Sequence, residues 1–353
     1  MSLPSTMRAA VLHGKEDLRL ESVPLQAPEP GGMIVKMDTA LTCGTDLKVW
    51  RRGYHAAMIK IPGILGHEGA GVVAQLGEGA VSTSAPGLKV GDRVVVANSA
   101  PCGECRPCSR GQQNLCDDLK FLNGTYAEYL RVPARFVRVN TWRVPDALPL
   151  DAAALTEPLA CVVHGLSETP VHPGDRALVI GLGPVGLLWV ALLKNAGAVV
   201  TGAGRHAARL NAAQVLGATV VEADEPGAWI AETASHQHYD LVVEATGRVE
   251  IWNMALNLVA KGGTVNLFGG PPKGTHASFD TNHLHYRQVT LKSPFHHRPE
   301  SFKASLDLLT RGVVPSAPFL TDTRTLEELP EVFRGMAESK SAVKTRIRME
   351  ARA

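Results

Sequence analysis

The amino-acid sequence predicts an α/β protein, a doubly wound parallel sheet preceded by a β-rich domain. Three observations carry that prediction. The chain has 353 residues, room for two domains at about 150 residues each. To about residue 150 it reads as strands and turns, and from about residue 175 short apolar strands alternate with helices. A glycine-rich turn stands at the first strand-to-helix junction of that second part.

In the first part, Met33-Ile-Val-Lys-Met-Asp38, Gly69-Ala-Gly-Val-Val-Ala74 and Arg93-Val-Val-Val-Ala97 read as strands. Gly/Pro clusters such as Pro28-Glu-Pro-Gly-Gly32 separate them. In the second part, Ala177-Leu-Val-Ile180 leads into a helix from Pro184 to Asn195. The strand Ala198-Val-Val-Thr201, a helix from about Ala207 to Leu216 and the strand Val220-Val221 follow. Asp240-Leu-Val-Val-Glu244 and Thr264-Val-Asn-Leu-Phe268 continue the alternation, punctuated by Gly262 and Gly263. The uncharged run from Ala177 to Leu193 would pass a crude hydropathy scan as a membrane span. Three glycines and a proline in its first ten residues make it a buried strand, a tight turn and a helix start instead.

Composition narrows the function. Lys and Arg number 36 against 34 Asp and Glu, a net charge of +2, with 20% charged and 45% hydrophobic residues. That is an ordinary globular profile without the basic footprint of a nucleic-acid or membrane-surface protein. Met1-Ser-Leu-Pro-Ser-Thr-Met-Arg8 has no basic-then-apolar signal pattern, so the cytoplasm is the expected compartment. Six cysteines are too few for a disulfide framework at this length.

Gly181-Leu-Gly183-Pro184-Val185-Gly186 fits the G-x-G-x-x-G pattern between a continuous apolar strand and a helix. In that context the first glycine makes the turn, the second admits a pyrophosphate to the backbone, and the third packs helix on strand. The helix N-terminus then offers free N–H donors. About 20 residues on, where an NAD site places an acid on the ribose hydroxyls, the chain reads Val199-Val-Thr-Gly-Ala-Gly204-Arg205-His206. No carboxylate stands near Gly204, and Arg205 would pair with a 2′-phosphate. NADP is expected over NAD, with NAD possible.

Cys102-x2-Cys105-x2-Cys108-x7-Cys116 gathers four cysteines in fifteen residues, as a closed structural zinc site requires. Iron–sulfur ligation shares the spacing of the first three, but the fourth does not follow at x3 before a proline. Cys43-Gly-Thr45-Asp46 and Gly66-His67-Glu68 add further zinc-type donors in Gly-marked turns, and Glu157-Pro-Leu-Ala-Cys161 adds a carboxylate just before the second part.

These motifs, with Gly124-Thr-Tyr-Ala-Glu-Tyr129 between them and in this order, resemble the zinc-dependent medium-chain dehydrogenases of the alcohol dehydrogenase superfamily. The resemblance is closest to the polyol/sorbitol and threonine dehydrogenase branch and covers almost the whole chain. It implies a GroES-like catalytic domain over 1–160, a Rossmann domain over 161–300, and a segment over 301–353 returning to the catalytic domain. It also implies a catalytic zinc held by Cys43, His67 and a carboxylate, Glu68 or Glu157, making two zinc ions per chain. Asp46 would orient His67, Thr45 would accept or relay the hydroxyl proton of an alcohol, and hydride would pass to the nicotinamide. Cys161 is a rival ligand, expected in the core instead. Where many relatives end the relay in a histidine, this chain has Lys48, so the last step is unassigned. Trp50, Arg51, Arg52, Tyr54 and the run Phe295-His-His-Arg298 are candidate substrate or rim residues. The implied substrate is a small alcohol or carbonyl, and relatives form homodimers or homotetramers. A zinc-free reductase would lack the Cys/His/Glu set. A non-catalytic zinc-stabilised nucleotide-binding protein would not require a second, open metal site.

Overall fold

Burial along the strand Met33–Leu41 leaves only Lys36 and Asp38 exposed, the pattern of a strand covered on both faces. In the computed structural model, which describes residues 3–54, 59–223, 229–230, 238–338 and 342–349, this strand lies in a seven-stranded sheet. It pairs antiparallel with Gly69–Leu76, with Tyr129–Val132 and with Lys344–Arg348 near the end of the chain. A three-stranded sheet built on Thr6–Gly14 adds a second layer. Met33, Val35, Met37, Leu12, Tyr126 and Ile347 share one apolar core. Phe333, on the helix Leu329–Glu338, packs edge-on against Trp50 at 6.0 Å and Tyr126 at 6.1 Å between ring centroids. The chain's last helix therefore braces the helix Gly44–Arg52, which carries Asp46 and begins beside Cys43.

The chain divides into two compact units, 1–160 with 297–312 and 320–353, and 161–296 with 313–319. The second holds a six-stranded sheet, all of it parallel, in the order Thr219–Glu222, Val199–Gly204, Arg176–Ile180, Tyr239–Glu244, Val259–Leu267, Thr290–Lys292. Parallel strands are buried on both faces, which is why these segments read as unbroken apolar runs. Leu178, Ile180, Val242 and Val265 form their core. The run from Ala177 to Leu193 folds as that strand, a turn and the helix Pro184–Asn195. Among the described residues no helix is long and apolar enough to cross a membrane. The helix expected from Ala207 to Leu216 spans Ala207–Val215 with Leu216 as its C-cap, within the ordinary scatter of helix ends.

Candidate functional site

Cys43 is the N-cap of the helix Gly44–Arg52. Its backbone is extended at φ −123°, and its Sγ accepts from the Thr45 N–H at 3.4 Å. Asp46, in the first turn where the helix dipole favours a carboxylate, is buried. Its Oδ1 lies 3.0 Å from His67 Nδ1, which orients the ring and leaves Nε2 as the nitrogen that can ligate a metal once it carries no proton. The Tyr126 hydroxyl lies 2.9 Å from both Asp46 Oδ2 and the Leu41 carbonyl and shares its one proton between them. Burial, reinforced by Asp46, holds that phenol well above its ordinary pKa, so it remains a donor. Gly66, at φ +93°, allows the approach, since a Cβ there would fall 2.4 Å from Thr125 Oγ1 and 2.8 Å from the Tyr126 ring.

The ligand atoms of Cys43, His67 and Glu68 lie within 4.8 Å of one another. Thiolate, imidazole and carboxylate together are a zinc-type donor set. Burial opposes a charged His67, but Asp46 and Cys43 outweigh it and hold the ring well above the usual histidine pKa. Glu68 is buried against Lys344, whose Nζ also donates to the Thr42 carbonyl at 3.0 Å. Glu157, at the start of the helix Thr156–Ser167, is not in that group of three. Its Oε1 lies 3.9 Å from Nε2 of the buried His297, which itself sits 2.8 Å from Asn98 Oδ1. Burial pushes the Glu157 carboxyl up to about 7; His67 and Lys344 oppose the shift and Glu68 adds to it.

The four loop cysteines also converge within 4.8 Å, and all are free thiols. Cys102 and Cys108 sulfurs are 4.0 Å apart, and those of Cys105 and Cys116 3.8 Å. Sulfurs at the corners of a zinc tetrahedron with bonds of about 2.3 Å stand about 3.8 Å apart, whereas a disulfide closes to about 2 Å. The spacing suits one shared ion. Backbone N–H groups of Glu104 and Cys105 bring the Cys102 thiol down to about 6, while burial pushes Cys108 up to about 12.

In the second unit the three glycines divide the work of the turn. Gly181 takes φ +97°. A Cβ on Gly186 would lie 1.9 Å from the Gly181 carbonyl, so only glycine packs there, whereas a Cβ on Gly183 would meet nothing within 4 Å. Gly183 is thus the open position, at the N-cap of a helix with Pro184 in its first turn and no side chain capping its N–H groups. Val185 is half-buried. Gly204 ends the second strand against Leu182, Arg205 beyond it is exposed, and His206 follows at φ +75°. The half-buried Arg209 has an Nε without a hydrogen-bond partner among the described residues, and burial, with Arg205 adding, lowers its pKa.

Thr45 is half-buried and Lys48 exposed, as a solvent-facing lysine would be. Cys161, expected in the core, is only half-buried. Arg51 donates to the Ala337 carbonyl at 2.8 Å, and Tyr54 and Phe295 are largely exposed. Sequence reasoning missed Lys344 and Asn98, neither of which belongs to a local pattern.

A protein with such a donor set in one unit and a glycine turn on a doubly wound sheet in the other is of the metal- and nucleotide-dependent oxidoreductase class. Residues 29–146 match the alcohol dehydrogenase GroES-like domain, and residues 184–311 match the zinc-binding dehydrogenase domain. Sorbitol dehydrogenase of Bacillus subtilis is 29% identical, with 96% of each chain covered. L-threonine 3-dehydrogenase of Bacillus velezensis is 30% identical over 89% of this chain and 90% of its own. A crystal structure from Sinorhizobium meliloti 1021, assigned to the zinc-binding dehydrogenases and bound to NADP, superposes with a TM-score of 0.88 at 26% identity, covering 98% of this chain and all of that one. The chain belongs to the zinc-type medium-chain dehydrogenase/reductase family and is a dehydrogenase.

Proposed function

We propose that this enzyme oxidises a secondary alcohol, polyol, sugar or amino-alcohol to the carbonyl compound, and runs the reverse, with NADP favoured over NAD. The observation that carries the reading is the convergence of Cys43, His67 and Glu68, with His67 oriented by the buried pair Asp46 and Tyr126. A loop-cysteine site alone would stabilise the fold; this second donor set includes residues with no structural need for a metal. Similarity to a sorbitol and a threonine dehydrogenase supports a hydroxyl-bearing polar substrate.

Zinc held by Cys43, His67 and a carboxylate would supply Lewis acidity that makes an alcohol proton acidic near neutrality. Asp46, bound at Nδ1, would orient His67 and leave Nε2 to ligate once its proton is displaced. Of the two candidate carboxylates, Glu68 groups with Cys43 and His67 and pairs with Lys344, whereas Glu157 groups with His296 and His297, which favours Glu68 as the third ligand. Thr45, two residues after Cys43, offers a hydroxyl that would accept a hydrogen bond from the substrate hydroxyl and relay its proton onward by giving up its own, the final acceptor being unassigned. Gly181, Gly183 and Gly186 with the helix N-terminus would hold the pyrophosphate of a dinucleotide, which would supply a hydride acceptor when bound. Exposed Arg205, with Arg209 one helical turn on and no acid at Gly204, supports a 2′-phosphate.

Steady-state reduction of NAD and NADP in parallel across an alcohol panel tests this. NADP should be the better cofactor, and Arg205→Ala should raise its KM by about tenfold, the loss of roughly one charge-assisted hydrogen bond. A wide preference for NAD in the wild type would overturn the NADP reading.

A further inference from the structure

All strands of the six-stranded sheet are parallel, and their order along the chain reverses between Arg176–Ile180 and Tyr239–Glu244: one half of the sheet is built outward from the first, the other half from the second. Ligands of such sheets bind outside the carboxyl ends of the strands at this switch point. The glycine turn lies on one side of it. On the other side, the last residue of the strand Tyr239–Glu244 is a carboxylate with no exposed surface.

Glu244 is fully engaged there. Its side chain accepts from the Thr246 N–H at 2.6 Å, from the Gly247 N–H at 3.1 Å, from the Trp252 indole N–H at 2.9 Å and from the Thr246 hydroxyl. Its backbone carbonyl accepts from Phe268 and Gly269, at the end of the next strand. The turns after the two strands are thereby tied together. They also abut too tightly for side chains, since a Cβ on Gly269 would fall 2.2 Å from the Gly247 nitrogen and 2.7 Å from Glu244 Oε2. Across the switch point the same loop meets the glycine turn, where a Cβ on Gly181 would lie 2.7 Å from Thr246 Cγ2. Next to the closed Gly269, Gly270 is exposed with nothing within 4 Å of a Cβ, the same pairing of closed and open glycine as Gly186 and Gly183.

A buried carboxylate is a costly way to fill space, and apolar residues would pack a strand end as well. What a carboxylate adds is direction, because each donor it binds is fixed in orientation. We propose that Glu244 is a positioning residue for the nicotinamide half of the bound dinucleotide, holding the turns at Thr246–Gly247 and Gly269–Gly270 in the shape that receives it. The role rests on dinucleotide binding by this unit. The adenosine half docks on the other half of the sheet, beside Arg205, and does not depend on Glu244.

Calorimetric titration of the zinc-loaded full chain separates the two halves. NAD and NADP serve as whole ligands, and 5′-AMP and adenosine 2′,5′-bisphosphate as probes lacking the nicotinamide half. Glu244→Gln places an amide where only acceptors fit and should weaken the preferred dinucleotide by about tenfold, or about 1.4 kcal/mol, while the adenosine probes change less than about twofold. Thr246→Val, an isosteric loss of one donor, should shift the dinucleotide in the same direction by a smaller factor, and it decides alone if the first variant does not fold. Parallel weakening of dinucleotide and adenosine probes, or unchanged dinucleotide binding, would overturn the role. Failure of the wild type to bind either dinucleotide would overturn the cofactor reading and this role with it.

Discussion

Lys344 shows how much of the site rests on single side chains. Its ammonium is buried against Glu68, so Lys344→Met leaves a carboxylate buried without its cation, a loss of about 3–5 kcal/mol. Thermal denaturation should show a large fall in Tm, and a smaller one when Glu68→Gln is already present. His67 carries a pH dependence of fixed sign. Its pKa is held well above the usual value because Asp46 and Cys43 outweigh burial, so at neutral pH a ligating metal must displace a proton from it. Zinc affinity at this centre should therefore rise with pH until that pKa is passed and then level off. Competition with a chelating dye over a pH series checks it, and a flat profile would contradict the arrangement. Thr45→Val should lower kcat by about 10²–10⁴ if the hydroxyl relays the substrate proton, with cofactor affinity unchanged. The Cys spacing and the Gly-His-Glu turn were legible because their residues are close in sequence. Lys344 meets Glu68 across 276 positions and His297 meets Asn98 across 199, and no local pattern announces either.

At the scale of elements, the parallel strands were the most legible, since burial on both faces turns each into an apolar run. From its residues alone the first unit read as strand and turn, and only the family resemblance implied a GroES-like domain with a returning C-terminal segment, because its strands pair over long separations and its sheet includes Lys344–Arg348 from the far end of the chain. The glycine turn was legible down to the work of each glycine, because close packing and left-handed φ exclude other residues. Gly186→Ala should prevent the helix from packing on its strand and cost folding stability, measurable by denaturant titration. Gly183→Ala meets no atom and should leave stability nearly unchanged while weakening dinucleotide binding by calorimetry. The brace of Phe333 on Trp50 and Tyr126 ties the last helix to the ligand-bearing one, so Phe333→Ala should cost about 3–5 kcal/mol.

For the whole molecule, the cysteine count separates the two metal roles. Four sulfurs close one loop site, and Cys43 belongs to the other donor set with His67 and Glu68. Two zinc ions per chain are expected. The most direct measurement is cofactor reduction by the zinc-loaded enzyme and its His67→Ala variant across a panel of alcohols, with zinc content determined on the same samples. The wild type should hold two zinc ions and reduce NADP with at least one alcohol, while the variant keeps the loop zinc, loses the other and is inactive. A wild type inactive with every alcohol at full zinc loading, or a variant as active as the wild type, would contradict the proposed chemistry.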